Sequence, residues 1–130
     1  MAKFEQHCRD CKVILGDRHE EVNRWIDGMF WKKGPAHRHY RHHTNGVRKA
    51  LELFGPKGAK AAVVHIVRDL GAVPRERDYD EVPEGVLIMP TFTDPPLGFE
   101  QHFDLFRERA EEEIGRLLGE THGSGYALSG

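Results

Sequence analysis

Apolar side chains in this chain recur at helical spacing almost throughout. Phe4, Cys8, Cys11 and Leu15 follow one another at four, three and four residues, predicting a helix over 3–15 that Gly16 stops. Asp17, with Glu20 three residues on, reads as the N-cap of a second helix that buries Val22, Trp25, Ile26 and Met29 and ends at Gly34-Pro35. A third helix is expected to open at Pro35 or Ala36, with Val47, Ala50, Leu51 and Phe54 as its stripe, closed by Gly55-Pro56. Residues 57–70 follow as an amphipathic helix with Ala59, Ala62, Val63, Ile66, Val67 and Leu70 on one face and Gly71 as its cap. The stretch 74–85 is charged and irregular, the pattern of a surface loop. Val86 to Met89 has strand character without a second strand, and reads as an extended arm near 86–92. A last helix over 98–119 carries Phe99, Phe103, Phe106, Ala110, Ile114 and Leu117.

This pattern predicts an all-α, single-domain bundle of four to five helices over 1–120, with a small polar, disordered tail at 121–130. The length of 130 residues suits one core without staples. No apolar run approaches the roughly 18 residues a membrane crossing needs. Nothing near the N-terminus resembles an export signal, so a cytoplasmic location is expected. The stripe of the last helix must meet either its own domain or a second copy, which makes a homodimer through 98–119 one expectation. Net charge is −2. That average hides an acid-free stretch from Gly28 to Leu51 containing Lys32, Lys33, Arg38, Arg41, Arg48 and Lys49. Such a stretch can dock nucleic acid, with Trp31 and Tyr40 to stack on bases, although the negative net charge weighs against it.

Four histidines fall between His37 and His43. If the third helix runs unbroken, His39 and His43 are four apart and project from one face. His65 and Asp69 repeat that spacing on the next helix. Packed antiparallel, these pairs bring His39, His43, His65 and Asp69 together as ligands for zinc, manganese or iron. His42 and Arg41 then point away from the apolar stripe. Asn45-Gly46 is the place where a break would undo this assignment of faces. Arg38 and Arg41 offer planar forks for a small anionic ligand. Cys8 and Cys11 have C-x-x-C spacing but no second pair. They read as core thiols on an apolar stripe, or as half of a zinc site completed by His7, His19, His37 or His39, or as a redox pair.

The series Trp25-Ile26-Asp27, His37-Arg38-x-x-Arg41-His42-His43-x-x-Gly46, Phe54-Gly55 and His65-Ile66-x-x-Asp69 resembles a family of small bacterial and phage proteins with no established activity. The resemblance covers residues 4–75. It points to His37 and His42 as alternates for the site, and Asp27 joins them as a further carboxylate. The layout is also similar to HD-type metal phosphohydrolases, which draw histidines and aspartates from packed helices. The adjacent His-Asp pair of those enzymes is absent here.

Three functional classes follow. The first is metal binding through the histidine-rich segment, with hydrolysis of phosphate esters or nucleotides as its catalytic form. The second is a non-catalytic module that docks nucleic acid or protein through 28–51. The third is a structural or accessory oligomer.

Overall fold

The computed structural model describes residues 4–29, 38–80 and 103–119, with only the backbone of residues 38 and 39. Within them the chain is all-α. Helix α1 spans Phe4–Leu15, α2 Glu20–Ile26, α3 the single turn Arg38–Arg41, α4 Thr44–Leu70 and α5 Phe103–Leu118. A 3-10 turn covers Glu76–Tyr79. The expected arm at 86–92 and tail at 121–130 lie outside the described residues.

Helix α4 is the axis of the bundle, and α1, α2 and α5 all pack on it. It bends at Gly55, whose φ of 81° and ψ of −176° interrupt the helix where Pro56 removes a backbone donor. The helix expected to close at Gly55-Pro56 and the one expected over 57–70 are therefore joined, from Thr44 on, as one bent rod. Every residue from Ala61 to Leu70 is buried, although the periodicity suggested only one buried face. The reason is coverage: α1, α2 and α5 leave this half no open side. His65, Arg68 and Asp69 are consequently buried polar groups that need partners. Arg68 finds Asp10 of α1 in a two-pronged pair at 2.8 Å for both bonds, with its guanidinium 4.2 Å from the ring centre of Phe106.

The stripe of α5 is satisfied within the chain. Phe106, Ala110, Ile114, Leu117 and Leu118 are buried, and Phe103 packs at their edge. Among the described residues nothing of this stripe is left over, and Phe99 lies outside them.

Two expectations at helix starts need correction. Asp17 does not cap α2; its carboxylate accepts from the backbone N–H of His19, at 2.8 Å, while His19 takes the capping position in the left-handed region at φ 50°. The third helix does not run unbroken through the histidines. Its first turn ends at Arg41, residues 42 and 43 bend, and a new helix starts at Thr44 with His43 as N-cap. The Nδ1 of His43 accepts from the N–H of Gly46 at 3.1 Å.

Candidate metal centre

Breaking the helix at residues 42 and 43 reverses the roles of these two histidines. His43 spends its ring nitrogen on the cap, and the next residue back turns inward. The Tyr79 hydroxyl donates to the His42 carbonyl at 2.8 Å, and Thr44 N–H donates to the Pro74 carbonyl at 2.8 Å. The stretch read as a surface loop thus clasps the bend from outside, with Tyr79 buried. Gly46 is required here because a Cβ on it would fall inside the carbonyl of Arg41.

His42 Nε2 meets α4 and the end of α2 at one point. It lies 3.1 Å from Asp69 Oδ2 and 3.6 Å from Asp27 Oδ1. His65 Nε2 lies 3.3 Å from Asp27 Oδ1 and 3.4 Å from Asp69 Oδ2. One donor atom from each of Asp27, His42, His65 and Asp69 lies within 4.8 Å of all the others. Four donors in a tetrahedron about 2.0–2.1 Å from a central ion stand about 3.3–3.4 Å apart. The four measured separations bracket that edge. Two imidazoles and two carboxylates are an ordinary donor set for zinc, manganese or iron. The side chains of His42, His65 and Asp69 are fully buried, and that of Asp27 is 24% exposed.

Asn23 sets the tautomer of His65. Its amide NH2 donates to the carbonyls of Arg18 and His19 at 3.0 and 3.1 Å and faces the sulfurs of Cys8 and Cys11. Its Oδ1 must then accept from His65 Nδ1–H, 2.8 Å away. The hydrogen bond to Nδ1 directs Nε2 at the two carboxylates, the arrangement seen behind metal-bound histidines.

Electrostatics divide the histidines. Burial pushes His42 down to about 4 despite the pull of Asp69. Burial also disfavours a charged His65, but Asp27 and Asp69 outweigh it and raise that ring to about 9. Burial would raise Asp69, yet three surrounding histidines hold its carboxyl well below the usual range. One imidazolium therefore faces two carboxylates in a largely buried pocket, an arrangement with room for more positive charge.

Of the expected ligands, His65 and Asp69 lie in this cluster. His43 does not, because it caps α4. The alternates His42 and Asp27 do, and His42 replaces His43 for the reason just given. The side chains of His37 and His39 lie outside the described residues, as does that of Arg38. Arg41 is not a free fork. It lies 4.5 Å over the Trp25 ring and donates through Nη1 to the Trp25 carbonyl. Both thiols are buried and form no disulfide, and burial pushes Cys11 up to about 12, which fits core thiols.

Sequence reasoning missed the supporting residues Asn23 and Tyr79, and named His7 only as a completer of a cysteine zinc site. His7 is fully buried on α1 and stacks on His65 with ring centres 3.5 Å apart and planes at 7°. Its position three residues after Phe4, on the cysteine stripe, was the available signal. Comparison with protein-family models, curated proteins and solved structures gives no match, so the chemistry of this cluster rests on its own geometry.

Proposed function

We propose that this protein binds a divalent transition metal through Asp27, His42, His65 and Asp69. The observation that carries the reading is the set of four donor separations between 3.1 and 3.6 Å, which match the edges around a small ion. The test is elemental analysis of untagged protein, followed by titration of apo-protein with zinc, manganese and iron(II). One ion per chain is expected, with uptake abolished in Asp69→Asn. Less than about a tenth of an equivalent, before and after addition, would end the reading.

In its catalytic form the centre hydrolyses phosphate esters. A bound divalent ion supplies Lewis acidity and makes water a stronger acid. Asp27 is the ligand that touches solvent, so reactants would enter on its side. Beside it the guanidinium of Arg41 is held in place by Trp25, with Nη1 only 2.7 Å from where a Cβ on Gly28 would stand. An anionic ester arriving there meets a fixed positive charge. Hydrolysis of a chromogenic phosphodiester by metal-loaded protein, lost in Asp69→Asn and weakened in Arg41→Gln, is the expected result.

Burial of three ligands favours a second reading, in which the ion only staples α2, the α3–α4 bend and α4 together. Loaded protein that is stabilised but hydrolyses nothing would select it.

A further inference from the structure

His7 is the buried polar group that the four-residue centre leaves unexplained. It is fully enclosed on α1, and neither ring nitrogen has a hydrogen-bond partner of ordinary geometry among the described residues. Native interiors rarely leave both nitrogens of an imidazole in that state. Packing alone does not call for them. The ring lies parallel to His65, with centres 3.5 Å apart and planes at 7°, a place any flat apolar ring would fill. Two rings stacked face to face cannot aim their nitrogens at one ion, so His7 is no ligand beside His65. They can, however, meet the two oxygens of one carboxylate. His65 Nε2 stands 3.4 Å from Oδ2 of Asp69, the oxygen that also faces His42. His7 Nε2 stands 3.4 Å from the other oxygen, Oδ1. A ring nitrogen that faces a carboxylate oxygen carries a proton, because two lone pairs would repel. Oδ1 therefore has an N–H donor beside it, just beyond ordinary hydrogen-bond length.

We propose that His7 is a positioning residue of the metal centre: its Nε2–H holds Oδ1 of Asp69 and so leaves Oδ2 to the ion. The inference rests on the metal-binding reading above and adds a residue that acts through a ligand without touching the ion. Carboxylates that bind metals are commonly held by such outer donors, which fix the oxygen that faces the ion. Asn23 plays the matching part for His65, through Nδ1. With an ion on Oδ2 the carboxylate stops turning, and the His7 donor closes on its other end. Without that donor, Asp69 is free to rotate about its side-chain bond and the ion loses a fixed ligand.

Zinc is the probe, and two variants separate the donor from the ring. His7→Phe keeps a flat ring against His65 and removes both nitrogens. His7→Gln gives up the ring and keeps an amide N–H within reach of Oδ1. In calorimetric titration of the apo-proteins, zinc affinity should fall about tenfold or more in His7→Phe and stay close to wild type in His7→Gln. Urea unfolding of the same apo-proteins should rank them the other way, with His7→Gln the less stable. A residue that only packed would make affinity follow stability. A His7→Phe that binds like wild type, or a His7→Gln that binds no better than His7→Phe, would overturn the inference and leave the four-ligand centre standing. Should a variant not fold, nitrogen NMR of zinc-loaded wild type decides alone. His7 Nε2 is expected to carry a proton there, and a bare Nε2 would overturn the inference. No zinc uptake by wild type would instead remove the metal reading itself, and this inference with it.

Discussion

Asn23 does more for the site than its chemistry suggests. A neutral amide with no ligand role, it fixes which nitrogen of His65 faces the carboxylates. Asn23→Ala should leave His65 free to adopt the other tautomer and leave the carbonyl of Arg18 short of a donor, while that of His19 keeps the backbone N–H of residue 23. A loss of roughly 10–100-fold in metal affinity is expected. Folding stability should fall by about 1–3 kcal/mol, measured by metal titration and by urea unfolding of the apo-protein. Unchanged affinity would show that the tautomer is set elsewhere. No sequence pattern singled Asn23 out, because a polar residue beside Val22 on a short helix looks like any other flank. His65 and Asp69 were legible for the opposite reason: four-residue spacing on a continuous helix survives folding intact. His42 and His43 were not separable, since their faces depend on whether one helix or two run through them.

At the scale of elements, that break is the decisive event. The apolar periodicity located α1, α4 and α5 well, because burial on a helix follows its spacing. Their junctions follow local backbone contacts that periodicity does not encode. Gly46 is the clearest case. It sits five residues after Arg41, where the start of α4 presses on the last carbonyl of α3. Gly46→Ala must push backbone against backbone, and should destabilise the fold by about 3 kcal/mol. Because the same contact holds the bend that turns His42 inward, metal affinity should fall with it. The control is Gly55→Ala at the kink of α4, where φ is 81° but nothing lies within 4 Å. Strain there should cost about 1–2 kcal/mol and leave the ligands in place. Equal losses of affinity in the two variants, read by calorimetric titration, would contradict this account.

For the molecule as a whole, α5 closes the bundle and brings its own ionic lock. Glu113 accepts from the Val73 N–H at 2.9 Å and pairs with Arg116 at 2.8 Å. Burial alone would raise its pKa, but these partners hold it below the usual carboxylate range. With the folded value the lower one, the contribution is complete above about pH 4.3 and drains away as pH falls through the folded value. Glu113→Gln should therefore be less stable than wild type at neutral pH and converge with it in acid, by urea unfolding across that range. Parallel pH profiles would remove Glu113 from the acid response. The enclosure of the centre has a different consequence, in time rather than in energy. No chelator can reach Asp69, His42 or His65 while the helices stay packed, because all three side chains are fully covered. In the stapling reading, an ion held there can leave only as fast as the bundle opens around it. The rate of stripping should then plateau as chelator concentration rises, and should quicken with mild denaturant. A rate that climbs in proportion to chelator would mean the ion is picked off directly past Asp27, through a door already ajar.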